Sequence, residues 1–197
     1  RLVSTDETGN QLLITSNHLN KAVYRPFIYN RTTKQLSKPL TKKGFGVGRV
    51  KMDWENKRMV ITKSRNNATS DLYEVSLKTR EAKVLHAKLG TSYSPSYFLG
   101  NKLYINTSHG KDRVGCAYID MSSPKKINWV RYDENKDMYC YYEKSKGYSG
   151  IWSFGEGRST TQIFEGHFGS EYTLPKNPKT ELIKRAQKVP GSVADFI

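Results

Sequence analysis

Side chains that can carry a positive charge recur at one position of a repeated pattern in the sequence. Each lies four residues after the same point of a short apolar run, and the four are His18, Arg65, His109 and Lys144. Lysine and arginine bind carboxylates and phosphates, and histidine makes such binding sensitive to pH near neutrality. If the repeats stack, these positions predict a cationic ring at one end of the molecule, which would bind an anion or an acidic partner. The alternative is that they are ordinary solvated hairpin tips.

Other chemistry lacks its parts in this sequence. The histidines His18, His86, His109 and His167 have no metal-ligand spacing, and no two cysteines are close together. No Gly-x-Ser-x-Gly elbow is present, and Gly44-x-Gly46-x-Gly48 does not have the spacing of a dinucleotide-binding loop. Most aspartates lie in turns, where aspartate commonly fixes the turn. We therefore expect no catalytic residues, no metal and no cofactor.

The positions of the four residues depend on a repeat that is clearest between Asp53 and Leu77, which has the pattern turn, strand, polar tip, strand. Similar segments begin at Gly9, Gly100 and Glu134. A weaker strand follows each one, at Leu36–Leu40, Ala82–Ala87, Lys126–Val130 and Thr161–Phe164. The period of roughly 35 to 47 residues is typical of a four-stranded propeller blade. Such a blade must stack on neighbours to bury both faces of its sheet.

Within this repeat, the pattern Asp-x-x-Asn-Lys, an apolar strand, Ser-Arg-Asn-Asn and Asp-Leu-Tyr-x-Val resembles the propeller repeat of the periplasmic TolB protein. The same repeat occurs in propeller domains of prolyl-oligopeptidase-type enzymes and of some membrane-anchored regulators. The resemblance spans roughly residues 6–166. It implies an all-β propeller and a periplasmic or extracellular location. Because proteins of unrelated function share this repeat, the resemblance implies a fold more than an activity.

The predicted domain organisation is a propeller over residues 1–170, followed by a connector and a short helix over 171–197. Four approximate repeats cover 6–44, 45–90, 91–130 and 131–166. Because an N-terminal strand often completes the last blade of a propeller, Leu2 and Val3 are expected to pair near the fourth repeat. Trp54 and Trp152 are expected to be buried between blades. The start at Arg1 indicates a processed form or a piece of a longer chain.

Composition favours anionic partners. The 197 residues include 33 Lys and Arg against 18 Asp and Glu, which gives a net charge of +15. The charge is spread along the chain, as expected for general attraction to anions.

No apolar run approaches the roughly 18 residues of a membrane span. Tyrosines around Tyr93–Tyr97 and Tyr139–Tyr142 are either stacking platforms for bases and sugars or packed sheet residues.

Cys116 and Cys140 lie in strands of neighbouring repeats. They are either bridged or buried as two small apolar side chains.

The function that the sequence favours is a non-catalytic binding or scaffold module that presents one end of a basic propeller to an anionic or acidic partner. One alternative is the propeller portion of a serine peptidase of the prolyl oligopeptidase type. The other is a nucleic-acid-binding protein, for which positive charge and tyrosine stacking are the required features.

Overall fold

A computed structural model of the chain describes residues 1–43, 45–143, 148–155 and 158–165. These residues form four antiparallel sheets and no helix. The first blade consists of β1 (Leu2–Thr5), β2 (Gln11–Ser16), β3 (Arg25–Asn30) and β4 (Gln35–Leu36). The second consists of β5 (Val50–Asp53), β6 (Arg58–Ser64), β7 (Ser70–Val75) and β8 (Ala82–His86). The third consists of β9 (Tyr93–Leu99), β10 (Lys102–Thr107), β11 (Gly115–Asp120) and β12 (Ile127–Arg131). The fourth consists of β13 (Lys136–Glu143), β14 (Tyr148–Gly155) and β15 (Arg158–Glu165).

The blades stack because their central strands are apolar on both faces. In β6, Met59 and Ile61 pack against Leu13 of the first blade. The residue between them, Val60, points the other way and packs against Leu103 of the third blade. Successive side chains of a strand point to opposite faces of the sheet, so a continuous apolar run serves two neighbours. We call the face toward the preceding blade the leading face and the opposite one the trailing face.

Each blade is also attached to the next by a repeated backbone contact. The segment entering a first strand hydrogen-bonds to the start of the third strand of the preceding blade. The bonds are Val47 N to Tyr24 O at 3.0 Å, Ser70 N to Thr91 O at 3.1 Å, and Met138 N to Val114 O at 2.8 Å. These bonds place the starts of first strands and the hairpins between second and third strands at one end of the stack, which we call the hairpin end.

This contact shows that the predicted alignment of the fourth repeat was wrong by one strand. The sequence pattern placed Cys140 in a second strand, equivalent to Ile105. Instead, β13 packs against β9, β10 and β11 just as β9 packs against β5, β6 and β7. It is therefore the first strand of its blade, and β14 and β15 are the second and third.

The expected position of the N-terminal strand was also wrong. Leu2 pairs with Ile14 and Thr5 pairs with Leu12 in an antiparallel ladder, so β1 is the first strand of the first blade. A short turn at Asp6–Gly9 connects it directly to β2, closed by a bond from Gly9 N to Asp6 O at 3.2 Å. This local pairing has a much smaller loop to close than a contact with the fourth blade would have.

Two further expectations concern individual side chains. Cys116 of β11 and Cys140 of β13 form a disulfide, with their Cα atoms 5.1 Å apart, so the bond joins the third and fourth blades. Trp54 is partly buried and packs against the cluster of Leu13, Met59 and Ile61. The side chain of Trp152 and the predicted C-terminal helix lie outside the described residues.

Candidate functional site

A groove of about 480 Å³ opens at the hairpin end. It lies where the first strands of three blades begin, so no single segment of the sequence forms it. From the second blade it takes Gly48, Arg49, Thr62, Ser64, Asn66, Asn67, Ala68, Thr69 and Ser70. From the third and fourth it takes Ser92, Tyr93, Ser94, Asn106, Val114 and Tyr139. Its lining consists mainly of hydroxyl and carboxamide groups, which can both donate and accept hydrogen bonds.

Arg49 is the one charged residue among the described residues that line the groove. It is exposed, and its backbone N–H donates to Thr62 Oγ1 at 2.8 Å, which fixes the chain just before β5. Burial and the nearby Asp137 raise the pKa of Tyr139, whereas the charge of Arg49 opposes this effect. Arg49 from the second blade therefore lies within electrostatic range of Tyr139 from the fourth. A carboxylate in the groove would find a guanidinium and a phenol as donors.

Short polar contacts hold the groove walls in place. Asn66 Oδ1 accepts hydrogen bonds from Ala68 N at 2.9 Å and Thr69 N at 2.7 Å, which makes the tip of the β6–β7 hairpin an Asx turn. Ser70 Oγ accepts from Tyr93 N at 2.8 Å and donates to Tyr93 O at 3.0 Å. These bonds preorganise the walls, so a ligand would have less conformational freedom to restrict on binding.

Behind the wall, Tyr93 is part of an aromatic cluster between the second and third blades. Its hydroxyl is hydrogen-bonded to His109 Nδ1 at 2.7 Å, and its ring stacks on His86 with centroids 5.8 Å apart. His86 Nε2 donates to Pro124 O at 2.8 Å. Burial raises the pKa of Tyr93 to about 12. Burial lowers the pKa of both histidines, with a further lowering of His109 by Lys88 and of His86 by His109.

An ion pair lies on the leading face of the second blade, toward the first blade. Arg65 Nε is 2.7 Å from Asp71 Oδ2, and the Tyr73 hydroxyl donates to the same oxygen at 3.3 Å. Only 4% of the Asp71 side chain is exposed, against 50% for Arg65. Hydrogen bonding to Asp71 raises the pKa of Arg65. Arg65 therefore has a structural role in addition to any role in binding.

The structure describes three of the four residues of the predicted ring. His18, Arg65 and His109 all lie in hairpins between second and third strands, at the expected end. None of the three lines the groove; His18 is hydrogen-bonded to Ser16 Oγ at 3.0 Å, and the other two make the contacts described above. Lys144 lies outside the described residues. Its inclusion rested on the alignment that proved wrong, because the strands flanking it are the first and second of their blade. Anion binding by these residues stays a prediction.

Of the tyrosines considered as stacking platforms, Tyr93 and Tyr97 are buried, which leaves their ring faces covered. Tyr97 stacks on Tyr104 at 4.6 Å and on Tyr142 at 5.3 Å. They are packed sheet residues, which was the other interpretation of the sequence. Arg49 was missed because the candidate residues were taken only from the hairpins of the repeat, and Arg49 lies before a first strand.

Within the described part of the chain, no three His, Cys, Asp or Glu side chains group as metal ligands do. The same residues include no helix with the length and apolar character needed to cross a membrane.

Comparison with known proteins gives the class of fold. No family model matches the chain, and no curated protein matches it. Among solved structures, TolB from Acinetobacter baumannii aligns with a TM-score of 0.61 at 12% identity, over 84% of this chain and 40% of that one. A prolyl endopeptidase aligns with a TM-score of 0.66 at 11% identity, over 87% and 27%. The β-propeller domain of the Trilobed protease from Pyrococcus furiosus aligns with a TM-score of 0.61 at 13% identity, over 90% and 56%.

The chain therefore has the β-propeller fold of TolB and of peptidase propeller domains, as its repeat pattern predicted. It spans less than two thirds of the length of each of these proteins. At 11–13% identity the likeness shows the fold alone.

Proposed function

We propose that the chain is a non-catalytic binding module that presents the hairpin end of its propeller to an acidic partner, and that an acidic side chain of this partner enters the groove. The observation that carries the proposal is Arg49. Among the described lining residues, Arg49 is the single charged one, and the other polar groups are neutral donors and acceptors.

Physical chemistry favours a carboxylate for this position. A guanidinium binds a carboxylate through paired, charge-assisted hydrogen bonds, which are stronger than bonds between neutral groups. Hydroxyl and carboxamide groups nearby can satisfy the remaining lone pairs and the backbone of a bound peptide. The net charge of +15 would speed the encounter with an acidic partner through long-range attraction.

A periplasmic or extracellular location, which the resemblance to TolB implies, belongs to the same proposal. It is supported by the disulfide between Cys116 and Cys140. Disulfides form and persist in oxidising compartments and are rare in the cytosol.

The absence of catalysis is also part of the proposal. It is supported by the way in which the reactive side chains nearest the groove are used. Asp71 is paired with Arg65 within the second blade, and His109 is hydrogen-bonded to Tyr93 between the second and third blades. The alternative is a propeller that controls access to a peptidase domain. In that case a peptide would pass through the groove and would not bind there stably.

The test is a binding titration with an acidic peptide, a neutral peptide of the same length and single-stranded DNA, at low and near-physiological salt. We expect the acidic peptide to bind and Arg49→Gln to weaken it by about tenfold or more, the size of a lost charge-assisted bond. Arg31→Gln is the matched control, because Arg31 is also exposed and lies away from the groove at the opposite end of the first blade.

Equal affinity in the two variants would refute the role of the groove. DNA binding that survives near-physiological salt would move the chain to the nucleic-acid class, since purely electrostatic binding weakens steeply with salt. Equal retention of the neutral and acidic peptides would contradict an acidic partner.

A further inference from the structure

A second cleft, of about 390 Å³, lies at the outer rim between the first and second blades. It shares no lining residue with the groove at the hairpin end. Its walls come from the segment after β4 and from the β7–β8 turn, and consist of Thr41, Lys42, Phe45, Arg80, Glu81, Ala82 and Lys83. We call it the rim cleft.

Positive charge dominates the rim cleft. Three of its lining residues are Lys or Arg, and Glu81 is the only acid among them. Lys42 Nζ lies 3.0 Å from Glu81 Oε1, but both side chains are about two-thirds exposed, and such surface pairs contribute little to stability. Among the described residues, Arg80 and Lys83 form no ion pair. The cleft thus holds cationic groups whose charge the protein does not neutralise.

A further guanidinium stands beside the wall of the rim cleft. Arg25 Nη2 donates to the backbone oxygen of Thr41, and its Nε is buried with no hydrogen-bond partner in the described structure. Burial lowers the pKa of Arg25, and the charge of Arg80 lowers it further, so the two guanidinium groups repel each other. A buried donor without an acceptor is unfavourable unless another group supplies one.

The corresponding place between the second and third blades differs in both charge and geometry. There, the end of β8 meets the β11–β12 turn, and His86 Nε2 donates directly to Pro124 O at 2.8 Å. A protein hydrogen bond joins the two blades at that point. At the rim cleft, the same junction is bridged only by the exposed pair of Lys42 and Glu81 among the described residues, and its walls are cationic. The repeat itself therefore does not require this arrangement.

We infer that the rim cleft is a binding site for a phosphate group, held by Arg80, Lys83 and Lys42. A guanidinium and two ammonium groups supply charge and several N–H donors, which a tetrahedral dianion with its oxygen lone pairs can accept. Phe45 and Ala82 provide an apolar wall that reduces screening by water at the site. The bound phosphate would offset the repulsion between Arg25 and Arg80.

The test is a calorimetric and NMR titration of the full chain with inorganic phosphate and with glycerol phosphate, which separates free phosphate from a phosphate ester. The variant Arg80→Gln/Lys83→Gln removes two charges from the cleft. The control Lys34→Gln/Lys57→Gln removes two charges from exposed turns elsewhere. It is matched in backbone conformation too, since Lys34, Lys57 and Arg80 all have positive φ values, of 56°, 51° and 60°.

We expect at least one of the two ligands to bind the native chain and the control with equal affinity, and the cleft variant to bind it about tenfold or more weakly. Circular dichroism of each variant establishes that the fold is kept. Failure of both ligands to bind below about 10 mM, or equal weakening in the cleft variant and the control, would overturn the inference. Neither outcome of the phosphate titration depends on Arg49. The inference about the rim cleft can therefore fail while the proposal about the groove stands, and the reverse.

Discussion

At the scale of single residues, the site and the fold depend on the same side chains. Arg65 was selected from the sequence as a binding residue. The structure adds a structural role, because the Asp71 carboxylate is almost fully buried and Arg65 is its cationic partner. A buried charge that loses its partner destabilises the protein more than the pair itself stabilises it.

We therefore expect Arg65→Ala to lower the melting temperature. Asp71→Asn should recover part of this loss in the double variant, because no uncompensated charge remains. Thermal denaturation of the two single variants and the double variant would show the coupling as a departure from additivity. If the effects of the two substitutions simply add, Arg65 does not stabilise the fold through Asp71.

Gly115 is a second residue where the structure adds what the sequence pattern alone could not. A Cβ atom at this position would lie 2.6 Å from Trp129 Cζ3 and 2.9 Å from Arg131 O. Only glycine therefore fits at this position, the first residue of β11, because β12 packs directly against it.

We predict that Gly115→Ala costs about 1–3 kcal/mol of unfolding free energy, as other overpacking substitutions do. The clash with Trp129 involves its six-membered ring, so the same substitution should cost less in a Trp129→Leu background. Chemical denaturation of the native chain, the two single variants and the double variant measures these free energies of unfolding. An equal cost in both backgrounds would mean that the indole ring is not what excludes a side chain there.

At the scale of strands and blades, the sequence predicted most of the fold. The second and third strands were found because they are apolar runs with a polar tip between them, and these signals are local. First strands were harder to find. β5 has only four residues, and β9 contains Pro95 within the strand. The one-strand error in the fourth repeat had the same origin, since β13 is a long first strand that resembles a second strand in composition.

The groove could not be predicted in this way. Its lining comes from three blades, from segments before first strands and from the hairpin end of other strands, and these become neighbours only through blade stacking. Cys116 and Cys140 illustrate the same limit. Their positions in neighbouring repeats allowed a bridge, but whether they face each other depends on β13 being a first strand that packs on β11.

The disulfide is expected to contribute to the docking of the fourth blade. Removing a bridge that closes a loop of this size costs about 3 kcal/mol in the chain-entropy description. We predict that reductant lowers the melting temperature of the native chain. The melting temperature of Cys116→Ser/Cys140→Ser should already be low and should not respond to reductant. A native melting curve that does not respond to reductant, with the free thiols confirmed chemically, would contradict this contribution.

The seam between the second and third blades is expected to respond to pH. The pKa values of His86 and His109 are both lowered by burial in the folded chain, so the unfolded chain binds more protons. Their contribution is fully present above about pH 6.5, the ordinary pKa of histidine, and is lost as the pH falls below it. Protonation would also place two charged rings next to each other, with centroids 6.0 Å apart.

We predict that the melting temperature falls as the pH is lowered from about 6.5 to about 5, and that His86→Gln/His109→Gln flattens this dependence. His18→Gln, which alters an exposed histidine outside the seam, should leave the dependence unchanged. If the curve of the double variant has the slope of the native curve, other groups are responsible for it.

At the scale of the whole molecule, the blades differ in how much of their apolar surface is covered. The leading faces of the second and third blades are fully buried, as Met59, Ile61 and Ile105 show. The leading face of the first blade carries the equivalent Ile14, which is half-buried, and its cross-strand partner Phe27, which is 1% exposed. Nearer the edges of the same face, the coverage is lower. Leu2 and Leu36 on this face are 57% and 44% exposed.

This difference predicts a gradient of local stability along the chain. Hydrogen exchange of backbone amides should be slowest in β6 and β10, whose sheets are packed on both faces, and faster in β2, although all three are central strands with two hydrogen-bonded neighbours. The comparison isolates packing between blades, because the ladders themselves are equivalent. In repeat architectures, stability is approximately the sum of the terms within each unit and those between neighbours. Equal protection of β2, β6 and β10 would mean that the first blade is covered on its leading face in solution. In that case Leu2→Lys or Leu36→Lys would be expected to remove the protection of β2.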